Sequence, residues 1–345
     1  MIKEIQVPDS RPKLSKRWNR ALQAVILVAA YGFIYHQLFS DHGLRKMTML
    51  QEQFRMLGSE IILVAVIFFL MLMNWFTETV KWRFLVRRIE AIRFSVAVKA
   101  ILTGITISTF TPNRIGEYFG RAFILKKANP VEAIILTIVG SMSQLLVTIL
   151  TGTCAFLFLL PQFAALTGRW PAVFYPGIIT LIVMLDAGLI FIYMNVGAIR
   201  PLARFFLKNN WRKFYRYLDV ISRISHEELA YVLLLSFLRY GIFFTQFFIA
   251  LRLFGVVVSL KEAMLLLPVI YLALAVVPTI ALTELGVRGS VAIYIIGTFL
   301  ALRGGVPGHW DAAVLSAATL IWIINLAFPA ILGAFFVFNL RFVRR

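Results

Sequence analysis

The sequence predicts an all-α polytopic membrane protein, with about six full spans plus two oppositely oriented re-entrant helical hairpins in an inverted-repeat architecture. Three observations carry this expectation. Of 345 residues, 60% are apolar and only 15% charged, against ~45–50% and ~25% in soluble domains. The apolar residues gather in runs longer than a globular core needs, and the mean hydropathy is +0.84. Two of the runs break at a proline with charged residues close behind it. The net charge of +19 lies in short Lys/Arg blocks between the runs. Such blocks mark cytoplasmic loops and attraction to anionic lipid at the cytoplasmic face, and exclude a nucleic-acid footprint as the leading reading. The single cysteine, Cys154, excludes an intramolecular disulfide and a cysteine-based metal cage.

A spanning helix needs ~20 predominantly apolar residues. Six stretches meet that: Arg20–Phe39, Ser59–Val80, Val131–Leu160, Ala172–Met194, Ala230–Phe254 and Trp310–Leu340. The first follows Arg11, Lys13, Lys16 and Arg17, as a signal peptide would. Its apolar run is too long for a signal h-region, and His36-Gln37-Leu38-Phe39-Ser40 is no small-residue cleavage site, so an uncleaved anchor is expected. Two further regions, Phe94–Leu125 and Lys261–Leu302, each consist of apolar arms around a polar centre containing Pro112 or Pro278. Both arms look short for a span. Irregular backbone at membrane depth survives only where protein or a water-filled cavity covers it. Re-entrant hairpins are the leading reading, and two tight full spans are the alternative.

Charge supports the hairpins. With the N-terminus in the cytoplasm and six full crossings, the blocks at Lys81–Arg93, Lys126-Lys127, Arg200–Arg223 and Arg341–Arg345 all fall inside. A lone span at Phe94–Phe110 would move Lys126-Lys127 outside. The whole chain, 1–345, then reads as one integral membrane domain with both termini cytoplasmic. Residues 59–160 form a first helix–hairpin–helix unit and 230–340 a second, inverted one. A basic cytoplasmic linker, 195–229, joins them, and its segment Trp211–Glu228 has the pattern of a surface amphipathic helix.

The two hairpin centres also match in chemistry. Pro112 is followed by Glu117 and, four residues on, Arg121; Pro278 is followed by Glu284 and, four residues on, Arg288. Residues i and i+4 share a helical face, and Glu before Arg is the favourable order. Arg114 lies seven residues before Arg121 and joins the same stripe. A charged residue at a helix centre costs ~2.5–3.5 kcal/mol to insert, so such residues normally face a cavity or a partner. Half-helices beginning after the two prolines would aim positive dipole ends inward, and arginine forks suit phosphate oxygens. The expected site is a midplane polar cavity for a lipid headgroup, lined by Arg114, Glu117, Arg121, Glu284 and Arg288, with Asn113, Gln144 and Arg239 as further candidates.

Other intramembrane polar residues carry competing readings. Arg239 shares a face with Gln246 and is expected to line the cavity or to pair with Asp186 or a glutamate. Asp186 is that partner or a proton-coupling carboxylate. Gln144 lies on a small-residue face that serves packing equally well. Asn74, Glu78 and Lys81 recur at helical spacing near the cytoplasmic end of the second span and read as an ordinary interfacial ion pair. Trp75 and Trp322 read as belt or packing residues. No P-loop, no Gly-x-Ser-x-Gly elbow and no clustered histidines occur, so no catalytic residue, cofactor or metal is expected.

The run Thr111-Pro112-Asn113-Arg114-Ile115-Gly116-Glu117-Tyr118-Phe119-Gly120-Arg121 resembles the Thr-Pro-x-Arg-x-Gly-Glu…Arg signature of the flippase-like transmembrane family. That family includes the N-terminal membrane region of lysylphosphatidylglycerol synthases. Glu284-Leu285-Gly286-Val287-Arg288 is similar to its second signature, Gly-x-Gly-Val-Arg-Glu, with Gly289 where the family often has glutamate. The resemblance covers roughly Ser59–Phe338 and implies flipping of a charged or aminoacylated lipid between leaflets of a bacterial cytoplasmic membrane. Synthase members carry a soluble aminoacyl-transferase domain; this sequence ends at Arg345, and lipid aminoacylation is not expected. Alternatives from other classes are an intramembrane enzyme or accessory subunit acting on a lipid-linked phosphate or sugar, and a membrane scaffold.

Overall fold

The computed structural model describes residues 60–109, 111, 114–167, 175–198, 211–277, 281–302 and 310–337, with four isolated positions between 24 and 32. The expected anchor at Arg20–Phe39, the terminal basic clusters, and Pro112, Asn113 and Pro278 lie outside the described residues.

Numbered from the first described helix, the elements are α1 (Ile61–Val86), α2 (Phe94–Ser108), α3 (Gly116–Ala122), α4 (Pro130–Thr167) and α5 (Tyr175–Met194). After a short 3-10 turn come α6 (Trp211–Ser222), α7 (His226–Leu253), α8 (Leu260–Val276), α9 (Ala281–Leu302) and α10 (Trp310–Trp322). A π-helical turn (Ile323–Ala327) then leads into α11 (Phe328–Ala334). Among the described residues, six stretches are long and apolar enough to cross a membrane: Ile61–Val86, Pro130–Pro161, Tyr175–Met194, His226–Leu253, Glu284–Ala301 and Trp310–Ala334. Five of them overlap spans that hydropathy predicts. The sixth corrects the sequence reading. The Lys261–Leu302 region was expected to have two short arms, yet α9 runs 22 residues, about 33 Å at 1.5 Å per residue. Its Glu284 and Arg288 pair with each other at 3.0 Å, so the helix accommodates both charges. The partner arm α8 has 17 residues. In the first hairpin region both arms are short, with 15 residues in α2 and seven in α3.

The outer surface is apolar, as a bilayer requires. Ile61, Phe69, Phe76, Leu185, Phe191, Phe237 and Leu238 are all exposed. In α5 only Tyr193 is buried, and a helix that is apolar all round without being buried in protein fits contact with lipid. Packing inside follows a reciprocal scheme. The first helices of the two units, α1 and α7, pack on each other. The first arm of each hairpin region packs against the last helix of the other unit, α2 against α11 and α8 against α4.

Close backbone approach holds the first hairpin region together. A Cβ at Gly120 would stand 2.7 Å from the Cα of Gly104, so α2 and α3 cross where neither has a side chain, the contact that small residues permit in membrane helices. Electrostatics fixes one end. The Glu90 carboxylate accepts the backbone N–H groups of Lys126, Lys127 and Ala128 at 2.7–3.2 Å. Glu228 completes a capping box with Ser225 at the start of α7 and also pairs with Arg87 and Arg88 beyond the end of α1. At the far end of the chain, Pro329 lacks an N–H and its ring crowds the carbonyl four residues back. That carbonyl belongs to Asn325, the centre of the π-helical turn.

Candidate functional site

The site is assembled around Glu78, which is 4% exposed. Three cations surround its carboxylate. Arg121 Nη1 lies 2.7 Å from Oε1, Lys81 Nζ 2.9 Å from Oε2 and Arg239 Nη1 3.0 Å from Oε2. These come from α3, α1 and α7, so one carboxylate ties the first hairpin region to the opening helices of both units. Arg121 also pairs with Glu117, as the i,i+4 spacing predicts. Lys81 donates to Ser236 at 3.3 Å, and Ser236 shares a 2.7 Å hydrogen bond with Ser143 on α4.

A second, uncharged network continues from the cage. Arg239 Nε donates to Asn74 Oδ1 at 2.8 Å, and Asn74 donates to Asn325 Oδ1 at 3.2 Å. Asn325 donates to Gln246 Oε1 at 3.2 Å, and Gln246 donates to the Ile67 carbonyl at 3.0 Å. The π-helical turn thus presents Asn325 to both α1 and α7. Such turns occur often at functional sites. Arg239 also lies over the rings of Trp75 and Phe243, with centroids at 5.4 and 5.3 Å, a placement that favours a cation.

Arg114 is the strained member. Its φ is +57°, and a non-glycine residue in that region costs of order 1–3 kcal/mol and persists where surrounding structure enforces it. Thr111 helps enforce it, since its hydroxyl accepts the Gly116 N–H at 2.8 Å and so satisfies a free donor at the start of α3. The Arg114 side chain is 41% exposed and stands 3.8 Å from Glu117. It lines a cavity of about 40 Å³ together with Arg239, Glu284, Arg288, Trp75, Trp322 and Asn325. The cavity therefore joins Arg114 from the first hairpin region to the Glu284–Arg288 pair of the second, across α1 and α7. Counting the cage and the cavity together, Lys81, Arg114, Arg121, Arg239 and Arg288 face Glu78, Glu117 and Glu284, leaving positive charge in excess.

Residues 21–333 match the family described as Lysylphosphatidylglycerol synthase TM region. The chain belongs to that family. Membership, with the six apolar helices, makes it a multi-pass membrane protein acting on lipids. Comparisons with curated proteins and with solved structures found no match. Within this lysylphosphatidylglycerol synthase membrane-region fold, a Cβ at Gly289 would stand 2.6 Å from Leu315 Cδ1, the end of a flexible side chain that a rotamer change can move.

Several sequence expectations need correction. Asp186 is not the partner of Arg239: it accepts from Thr153 at 2.8 Å, while Glu78 holds the arginine. Glu78 and Lys81 pair at 2.9 Å as their spacing predicts. With Asn74, however, they are buried among helices rather than at an interface, Glu78 and Lys81 in the charged cage and Asn74 in the adjoining network. Gln144 sits half-buried on α4 and does not line the cavity. Asn113 lies outside the described residues. Of the other candidates, Arg114, Arg239, Glu284 and Arg288 meet at the cavity, with Glu117 and Arg121 in the adjoining cage. Trp75, Trp322 and Asn325 were missed as site residues. The one signal for Asn325 was Pro329 four positions on, which marks an irregular turn at the asparagine. Among the described residues, no three His, Cys, Asp or Glu side chains group closely enough to hold a metal.

Proposed function

We propose that the protein is a lipid transporter of the cytoplasmic membrane, moving a phospholipid or a lipid-linked polar headgroup between leaflets without changing it chemically. The observation that carries the proposal is the charged cavity where the two hairpin regions meet. Burying this many ionisable groups is costly unless they face partners or a polar path. The Arg239 position supports mid-depth, 13 residues into a 28-residue helix. Acyl chains would stay in lipid against the exposed apolar faces while the headgroup crosses past Arg114, Arg239 and Arg288.

Two oppositely oriented units fit this function, because inverted repeats place a substrate site at their interface and alternate its access. The reciprocal packing of α2 on α11 and α8 on α4 supports that reading. So do the two Glu–Arg pairs at i,i+4. Both termini would face the cytoplasm, and the basic 195–229 segment would rest against anionic lipid there.

The test uses the purified chain in liposomes with short-chain fluorescent phospholipids in one leaflet. Movement to the other leaflet without a new lipid species supports transport. A new lipid product would assign an enzyme, and neither movement nor product would leave a scaffold.

A further inference from the structure

The cavity has an unusual inventory of unmet hydrogen-bonding capacity. Among the described residues, four of its lining side chains contain a buried N–H without a hydrogen-bond acceptor: Trp75 Nε1, Trp322 Nε1, Arg114 Nε and Arg288 Nε. The two tryptophans are 9% and 1% exposed. Buried polar groups normally have partners, and a buried unpaired donor costs about 1–3 kcal/mol. All four orphans are donors, and no acceptor among the residues lining the cavity is orphaned. An indole N–H can only donate, and so can a guanidinium. The surrounding charge has the same sign: the cations of cage and cavity outnumber the carboxylates. Glu284, the carboxylate lining the cavity, is already engaged by Arg288.

We infer that this cavity is a binding site for a phosphate group, and that Trp75 and Trp322 are ligand-binding residues rather than belt or packing residues. A phosphate diester supplies acceptor oxygens and negative charge and brings no donor of its own, which complements the orphaned set. Arg114, at the rim, offers the fork that reaches incoming oxygens. Trp75 and Trp322 each offer a single buried, unpartnered N–H from the cavity lining. At about 40 Å³ the space has room for a few water molecules at ~10–15 Å³ each, or for phosphate oxygens in their place. The inference rests on the transport reading only for the source of the phosphate, a lipid headgroup.

The test measures binding rather than transport. Purified full-length protein in a phosphate-free maltoside detergent is titrated with dihexanoylphosphatidylglycerol, with dihexanoylglycerol, which has the same chains and no phosphate, and with inorganic phosphate. Thermal unfolding reports saturable stabilisation by whatever binds the folded state. Dihexanoylphosphatidylglycerol should stabilise and dihexanoylglycerol should not. Arg114→Gln and Trp322→Phe should each weaken the apparent affinity about tenfold or more, as loss of a hydrogen bond to a charged group does. Arg114 is 41% exposed, so its variant keeps the test informative if Trp322→Phe fails to fold. Equal stabilisation by the phosphate-free lipid, or unchanged affinity in the Arg114 variant, would overturn the inference. Stabilisation by inorganic phosphate and not by the phospholipid would keep the site, assign it to a free anion and count against lipid transport. A phospholipid that binds but does not cross liposomes would also leave the site standing and remove the transporter.

Discussion

Glu78 is the residue whose loss should be felt most. Its carboxylate meets Arg121, Lys81 and Arg239 at 2.7, 2.9 and 3.0 Å. At ~3 Å and an effective dielectric near 20, each contact amounts to about 5 kcal/mol before desolvation is subtracted. Most of that gain is offset by the cost of taking the ions out of water. Removing one member of a buried group, however, leaves its partners charged and uncompensated, at about 3–5 kcal/mol. Folded proteins hold only ~5–15 kcal/mol in total, so Glu78→Gln should lower the unfolding temperature of the detergent-purified protein by roughly 5–10 °C. Removing Lys81 as well, in Glu78→Gln with Lys81→Met, should restore much of the loss, because Arg121 keeps Glu117 and Arg239 keeps Asn74. A single variant that unfolds within about 2 °C of wild type would refute the cage as a desolvated cluster and make it a hydrated one.

Glu117→Gln should reduce folded yield more than Glu117→Gln combined with Arg121→Gln, by size-exclusion recovery, because Arg121 is 2% exposed and the single change leaves it only Glu78, a carboxylate that Lys81 and Arg239 already share. Gly120→Leu should abolish folded protein, since even a Cβ would stand 2.7 Å from Gly104; normal recovery of this variant would contradict the α2–α3 crossing. With Cys154→Ala as background, a cysteine at position 127 should resist an impermeant thiol reagent added to intact cells. Labelling there would contradict a first hairpin that returns to the cytoplasm.

The spans were legible because hydropathy integrates over ~20 residues and tolerates errors at the ends. The same tolerance hid the centre of the site. The sequence reading closed the second span at Val80 and left Glu78 at its end, whereas α1 continues to Val86. At 1.5 Å per residue, Glu78 sits about 12 Å in from that end. Arg121 and Arg239 then join Lys81 as partners of its carboxylate. The Glu117–Arg121 and Glu284–Arg288 pairs were readable because helical spacing is local. The two arginine partners of Glu78 were not, since Arg121 and Arg239 lie 43 and 161 positions away along the chain and only packing brings them together. Asn325 was hidden for a similar reason. An asparagine in an apolar run has no periodic signature, and its role follows from a turn that Pro329 distorts.

The central claim, that lipid headgroups cross through the arginine-lined cavity, is tested most directly in liposomes holding a fluorescent phosphatidylglycerol, with Arg114→Lys and Arg288→Lys combined in one protein. Lysine keeps each point charge and removes the planar fork. The account predicts that this double variant folds and inserts like wild type and loses most of its lipid movement. Movement at the wild-type rate would contradict it, and would leave both arginines as counter-ions of Glu117 and Glu284.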